Sequence, residues 1–174
     1  MNADTTMRNI VILAALLTTG CGDLLSLHEL YTNQDKVFDA TLVGRWESKD
    51  DLLTVWRDGD EYKAAFQSKM KLSEQVNYEA HLLDINGVRF ADILTGDALG
   101  HMFLKVRVSG SQLRFAFFDT EWVRERIPHE EATMSNGKKQ AVLTAHTAEL
   151  RNLVAKYAAE PKAFGNEMVF ERLK

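Results

Sequence analysis

From Asp39 onward, apolar and polar residues alternate with a period of two, and this pattern limits the fold of the chain more than any other feature. In the stretch 102–108 every even position is apolar, and two of the three odd positions are charged. The stretches 76–83 and 113–118 repeat the alternation. Because successive side chains of a β-strand point to opposite faces, each stretch predicts a strand with one face on a core.

Short turn sequences separate these strand candidates. Asp58-Gly59-Asp60, Asn86-Gly87 and Ser109-Gly110 each lie between two of them. Asn-Gly is the strongest signal, because a type I′ turn needs positive φ at both central residues. The sequence therefore predicts a mainly β domain in which an antiparallel meander forms a small barrel or sandwich. The predicted strands lie near 41–47, 52–57, 60–67, 75–84, 88–94, 101–108, 112–118, 139–144 and 167–173.

Two helices are predicted to interrupt the strands. Thr147 can cap a C-terminal helix at about 147–160, in which Glu149 complements the helix dipole and which Pro161 ends. The apolar stripe of this helix consists of Leu150, Leu153, Val154, Tyr157 and Ala158. A shorter helix of one or two turns is predicted within 120–131. The strand at about 167–173 then ends the chain.

The N-terminus has the pattern of a bacterial lipoprotein signal peptide. An unbroken run of eight apolar residues, from Ile10 to Leu17, precedes Gly20 and the only cysteine, Cys21. A bilayer crossing needs about 20 apolar residues, so this run suits the h-region of an export signal instead. Lipoprotein processing attaches a diacylglyceryl group to the cysteine thiol and cleaves after a small residue. We therefore expect residues 1–20 to be a signal peptide and Cys21 to carry the lipid.

Two positions depart from the usual lipoprotein pattern. Thr18 stands three residues before the cysteine, where leucine is usual, and Asp4 lies in a region that is normally positive. Translation from Met7 would exclude Asp4 and place Arg8 directly after the start. The alternatives to lipidation are an ordinary secretory signal and a buried structural cysteine.

Length and charge restrict the function classes. Removal of 20 of the 174 residues leaves 154, which suits a single domain. No second cysteine is present, so packing without an internal disulfide must stabilise the fold. The net charge is −4 and Lys and Arg are scattered, which gives no basic footprint for nucleic acid.

Residues 21–37 are expected to tether a single β-rich domain, 38–174, to the membrane. A short helix and a partly apolar linker both remain open for this tether, because apolar residues recur in it at near-helical spacing. These residues are Leu24, Leu27, Leu30 and Tyr31. In enteric-type bacteria, Asp directly after the lipidated cysteine retains a lipoprotein in the inner membrane. Gly22 takes that place here, which favours the outer membrane, with the domain in the periplasm.

The segment from Val37 to Glu47, Val-Phe-Asp-Ala-Thr-Leu-Val-Gly-Arg-Trp-Glu, resembles the opening of the lipocalin pattern. In lipocalins a Phe-Asp pair precedes Gly-x-Trp at the start of the first barrel strand. The resemblance implies a lipocalin-like barrel, with Trp46 packed at its closed end beneath Arg172. It also implies a helix after the eighth strand, a place that the C-terminal helix would fill. We further expect Trp46 and the apolar stripe of that helix to share one core.

The mature chain also resembles bacterial lipoproteins that combine a Gly-x-Trp strand with two further segments. One is Leu-x-Phe-Ala-Phe-Phe-Asp-x-x-Trp, from Leu113 to Trp122. The other is the helix start Leu-Thr-Ala-x-Thr-x-Glu-Leu, from Leu143 to Leu150. This resemblance implies a lipoprotein with a small β-rich domain and carries no established activity.

The sequence contains no arrangement typical of a catalytic or metal site. No Gly-x-Ser-x-Gly elbow occurs, and the lipid would occupy the thiol of Cys21. The histidines form no His-x-His or His-x-x-x-His pair; they are His28, His81, His101, His129 and His146. We therefore expect no catalytic residue, metal or cofactor. Phe117, Phe118 and Trp122 around Asp119 are interpreted first as core and cap packing, and second as an aromatic ligand wall.

Asp92 is an unusual residue because Val88, Phe90 and Leu94 share its strand face. In a regular strand it would point inward, where a carboxylate must be paired or have a raised pKa. We expect a structural role with an Arg or backbone donors, and a ligand contact inside the barrel is the alternative. Arg172, on the final strand, is a second candidate for a ligand or structural polar contact.

Three function classes follow from these observations. The preferred one is a membrane-anchored, non-enzymatic envelope lipoprotein that binds an apolar small molecule or an envelope protein. The alternatives are a structural or assembly accessory of the envelope without a small-molecule site and, last, a hydrolase that uses scattered carboxylates and histidines. A barrel wide enough for a ligand exposes apolar side chains to its interior, whereas a filled barrel does not.

Overall fold

The computed structural model describes residues 24–95, 100–134 and 136–174. The expected signal peptide, Cys21 and its lipid therefore lie outside the described residues. The strands are β1 (Leu24–Ser26), β2 (Gly44–Glu47), β3 (Asp51–Asp58), β4 (Glu61–Ser68), β5 (Gln75–Ile85), β6 (Val88–Thr95), β7 (Gly100–Ser109), β8 (Gln112–Phe117), β9 (Glu130–Thr133), β10 (Lys139–Leu143) and β11 (Met168–Arg172). The helices are α1 (Thr120–Arg126) and α2 (Thr147–Tyr157).

Eight of these strands close into an antiparallel barrel. β2 to β8 form a meander in which each strand pairs with the next, and β11 closes it by pairing with both β8 and β2. The turn between β5 and β6 has φ of 54° at Asn86 and 79° at Gly87, as a type I′ turn requires. The predicted meander is confirmed, and of the two predicted architectures the fold is the barrel.

Both predicted helices are present, in the two regions where apolar and polar residues do not alternate with a period of two. The side chain of Asp119 caps α1 by accepting a hydrogen bond from the Trp122 backbone N–H at 2.8 Å. α2 begins at Thr147, and His146 is its N-cap without a side-chain hydrogen bond. The expectation that Thr147 caps this helix is therefore wrong by one position, because Thr147 already has helical backbone geometry.

Part of the expected tether belongs to the folded domain. β1 pairs in parallel with β10, Leu24 lying opposite Ala141, and Ser26 also pairs with His101 of β7. Leu30 is completely buried. From Leu24 onward the segment is thus neither a helix nor a free linker, because it pairs as a strand and because Leu25 and Leu30 are buried, although Leu27 is exposed. β1, β10 and β9 extend the barrel sheet beyond β7, and we call these three strands the side sheet. The strand predicted near 139–144 is β10, so it belongs to the side sheet and not to the barrel.

The barrel wall separates two hydrophobic cores. One fills part of the barrel interior and includes Trp46 and Leu82. The other lies between the outer face of β5 to β7 and the covering helices, and it includes Leu83, Leu150 and Val154. Trp46 and the stripe of α2 therefore do not share a core, contrary to expectation. The reason is that β5 carries apolar side chains on both faces, so its outer face needs a cover of its own.

The two ends of the barrel differ, and we call them the base and the mouth. The base carries the hairpin turns β3–β4, β5–β6 and β7–β8 and is crossed by residues 38–43, which include a 3-10 turn (Ala40–Leu42). Within this segment Asp39 contacts Tyr62 of β4 and Arg89 of β6. The mouth carries the connections β2–β3 and β4–β5, and β6 ends and β7 begins there.

Candidate functional site

Strand register shows which side chains face the barrel interior. Phe66 of β4 lies opposite Val76 of β5, and Ile93 of β6 lies opposite Met102 of β7. All four lie on the same inner face as Leu82, a member of the interior core. The interior is thus lined mainly by apolar side chains, as expected for a barrel that binds an apolar molecule or packs its own core.

At the base, inward-facing side chains fill the barrel. Trp46, Leu113 and Phe170 are 0, 3 and 1% exposed. Leu42, from the 3-10 turn, packs among them from below. The largest side chains at this end are thus buried, while the smaller Val55 and Val108, which also face inward, stay partly exposed.

Toward the mouth the inward-facing side chains are only partly buried. On β5, the inner residues Val76 and Tyr78 keep part of their surface accessible, although they point into the barrel. The same is true of Phe66, Ile93, Phe117, Met102 and Met168. These side chains keep part of their surface accessible in the described structure, and we call the mouth half of the barrel that they line the apolar cup.

Tyr78 places a polar atom in this cup. It points inward opposite Ala64 of β4, and its hydroxyl has no hydrogen-bond partner among the residues that the structure describes. Burial raises the pKa of Tyr78 to about 12, so the hydroxyl is neutral near pH 7 and able to donate a hydrogen bond. Sequence reasoning missed Tyr78, because a tyrosine in an alternating strand is an ordinary residue until its partners are known.

Few charged side chains share the inner face of the barrel. Arg57, Arg89 and Arg172 occupy inward-facing positions at the base. Asp51 lies at the edge of the mouth, where burial raises the pKa of its carboxyl. The Ser48 hydroxyl donates a hydrogen bond to this carboxyl and accepts one from the Asp51 backbone N–H. No Lys or Arg occupies an inward-facing strand position in the mouth half of the described barrel.

Trp46 and Arg172 form one structural unit at the base. The Trp46 indole N–H donates to the Leu42 carbonyl at 2.9 Å, and the Arg172 guanidinium lies 4.0 Å from the centre of its ring. Arg172 also donates to the carbonyls of Val43 and Thr41. These contacts give Arg172 a structural role at the base.

The geometry also explains the glycine of Gly-x-Trp. Gly44 has φ of +146°, which other residues rarely adopt, and a Cβ there would lie 2.5 Å from Nη1 of Arg172. Glycine is therefore needed for the arginine to lie over the indole. This arrangement is the one that the resemblance to lipocalins implies.

Asp92 is buried on the outer face of the barrel wall. Its Oδ2 accepts a hydrogen bond from the Leu30 backbone N–H at 2.6 Å, and its Oδ1 lies 2.7 Å from Nδ1 of His101. The neighbouring positions, Ala91 and Ile93, are the ones that face the interior. Asp92 is thus not a ligand contact inside the barrel, and a backbone donor and a histidine, not an arginine, are its partners.

Two histidines converge on Asp92 through strand pairing. His81 lies directly opposite Asp92 on β5, and His101 lies on β7. The hydrogen bond with Asp92 raises the pKa of His101, whereas burial lowers the pKa of His81. Their spacing along the chain gives no sign of this proximity. The described residues contain no group of three or more His, Cys, Asp or Glu side chains that could hold a metal ion.

Comparison of the chain with protein-family models, with curated proteins and with solved structures finds no match in any of the three. Among the described residues, no helix has the length and apolar character needed to cross a membrane. The geometry of the barrel and the N-terminal sequence therefore carry the functional information in this protein.

Proposed function

We propose that this protein is a membrane-anchored lipoprotein of the bacterial cell envelope that binds an apolar small molecule in the mouth half of its barrel. The observation that carries the proposal is the contrast in burial between the base and the mouth. Side chains such as Trp46 and Phe170 are buried at the base, whereas Phe66 and Met102 keep accessible surface on the same inner face.

Exposed apolar surface inside a barrel favours a ligand on physical grounds. Removal of apolar area from water stabilises by about 25 cal/mol per Å². A barrel that served only as a scaffold would gain stability from larger side chains at positions such as Ala64, Ala80 and Ala91, which face inward. A concave, mainly apolar site with few polar groups is typical of small-molecule binding.

The connections at the mouth support exchange with a membrane. Between β4 and β5, Met70 and Leu72 are 87 and 63% exposed, flanked by Lys69 and Lys71. If Cys21 carries lipid, two residues lie between the anchor and Leu24, and the three residue steps span about 11 Å at most. The anchored domain would then sit close to the bilayer, where apolar molecules are abundant.

The cup is tested by filling it. Ala64→Trp places a large side chain on the inner face beside Tyr78, and we expect it to weaken binding of the apolar fluorophore N-phenyl-1-naphthylamine by about tenfold or more. Each methylene group of the ligand that can no longer be buried costs about 0.8 kcal/mol of binding free energy, and the indole takes the space of several such groups. The measurement is a fluorescence titration of the wild type and the variant.

Ala65→Trp is the matched control for this titration. Ala65 is the next residue of β4 and faces outward, opposite Asn77. The Ala65→Trp variant should bind the fluorophore as the wild type does. Equal titration curves for the two variants, or no binding by the wild type, would contradict the proposal of a barrel ligand.

Lipidation is tested separately. We expect mass spectrometry of the protein from its native membrane to show an acylated N-terminal Cys21. Cys21→Ala should release the domain into the soluble fraction with its circular dichroism spectrum unchanged, because Cys21 precedes the described domain, which begins at Leu24. A native soluble protein with a free thiol would disprove this part of the proposal.

One observation favours the alternative of an accessory protein that pairs with another envelope protein. β9 is the last strand of the side sheet, and its four residues, Glu130–Thr133, are exposed. An exposed edge strand offers unpaired backbone groups to a partner strand. If the wild type binds no apolar probe, this edge becomes the leading candidate for function.

A further inference from the structure

We infer that the Tyr78 hydroxyl is the recognition group of the barrel and that the ligand is an uncharged apolar molecule carrying a hydrogen-bond acceptor, such as an ester or ketone oxygen. The inference rests on the proposed function, since it names the ligand class of the same cup. It follows from three features of the described barrel: the position of Tyr78, the contrast with Tyr62, and the distribution of charge.

Tyr78 is placed so that a ligand can reach its hydroxyl. It lies in the mouth half of β5, where inward-facing side chains are only partly buried. Its neighbours on the same inner face, Ala64 across the pair and Ala80 along the strand, end at Cβ. These neighbours are small, and Tyr78 stays partly exposed on the inner face.

The second inward-facing tyrosine shows what a structural hydroxyl looks like in this barrel. The Tyr62 hydroxyl accepts from the Asp39 backbone N–H at 2.6 Å and donates to the Asp39 carbonyl at 3.2 Å. Tyr62 is thereby tied to the segment that closes the base. Tyr78 has no such partner among the described residues, and its hydroxyl is not a buried unpaired atom, since His81 Nδ1 is the one found in that part of the chain. The hydroxyl is therefore able to donate to an acceptor on a ligand in place of water.

The inner face of the cup disfavours an anionic head group, although Lys69 and Lys71 lie in the β4–β5 connection at the mouth. No Lys or Arg faces the interior in the described mouth half, and Arg172 lies at the base, where it donates to two backbone carbonyls. Asp51 at the mouth edge would repel a carboxylate. A buried anion without a cationic partner is strongly disfavoured, whereas a neutral oxygen needs only the donor that Tyr78 supplies.

The inference is tested by competition against bound N-phenyl-1-naphthylamine. The competitors are dodecane, methyl laurate and laurate, which share one chain length and differ in their polar group. For the wild type we expect methyl laurate to compete about tenfold better than dodecane, the effect of one added hydrogen bond, and laurate to compete worst. Tyr78→Phe should bind the probe and dodecane as the wild type does, while its preference for methyl laurate disappears.

Tyr62→Phe is the matched control, because it removes a hydroxyl from the same inner face at the base. It should lower stability in chemical denaturation and leave the order of competitors unchanged. If Tyr78→Phe keeps the preference for the ester, or if laurate competes best, the inference is wrong while the apolar cup stands. If the wild type binds no probe at all, the proposed function itself fails.

Discussion

Trp46→Ala is expected to lower the free energy of unfolding by about 3 to 5 kcal/mol, the range for removing a buried aromatic side chain. Trp46 is completely buried at the base, donates a hydrogen bond to Leu42 and carries the Arg172 guanidinium on its ring. Its removal would leave a cavity at the base and leave Arg172 without its aromatic support. Chemical denaturation followed by far-ultraviolet circular dichroism measures the loss.

Trp56→Ala is the matched control for this experiment. Trp56 lies near the base end of β3 but faces outward and is 41% exposed. We expect it to cost less than about 1 kcal/mol, because a half-exposed side chain gives up much less buried area. Similar losses for both variants would show that Trp46 does not stabilise the base in the way that its burial indicates.

Asp92→Ala should destabilise the domain by about 3 kcal/mol or more, within the range for breaking a buried charged pair. The substitution leaves the Leu30 backbone N–H and His101 without their acceptor. Leu30 belongs to residues 24–37, the N-terminal segment, which covers this side of the barrel. Asp92→Asn keeps one acceptor oxygen and should cost less. If both variants unfold like the wild type, Asp92 does not hold the N-terminal segment.

The contribution of Asp92 should also depend on pH. The hydrogen bond with Asp92 raises the pKa of His101 above its unfolded value of about 6.5. Stability from this pair is therefore fully present below about pH 6.5 and is lost as pH rises through the raised pKa of His101. The difference in unfolding free energy between the wild type and Asp92→Asn should shrink over that interval. A constant difference across it would rule out the coupling.

Features that depend on a few neighbouring residues could be predicted from the sequence. Alternation in the stretch 102–108 predicts β7, and Asn86-Gly87 predicts a hairpin because its turn needs positive φ. The C-terminal helix follows from its apolar stripe and from the absence of alternation there. Each of these signals lies within one element, so long-range pairing is not needed to interpret it.

The position of Asp92 could not be predicted, because the strands around it are apolar on both faces. Leu82 and Leu83 are adjacent and both buried, one inside the barrel and one outside. Alternation alone then does not say which face is the interior. The pairing of β6 with β5 and β7 decides it and places Asp92 outside, between His81 and the N-terminal segment.

By itself, the sequence determined the strands of the meander, the tight turn at Asn86 and the C-terminal helix, because period, turn chemistry and helical stripe are local properties. Only the tertiary structure decided that β1 and β10 leave the barrel to form a side sheet, and that the wall separates two cores. It also decided that Tyr78 faces an open cup while Tyr62 is tied to the base. These outcomes depend on closure of the barrel, which joins residues far apart in the chain and which no local pattern encodes.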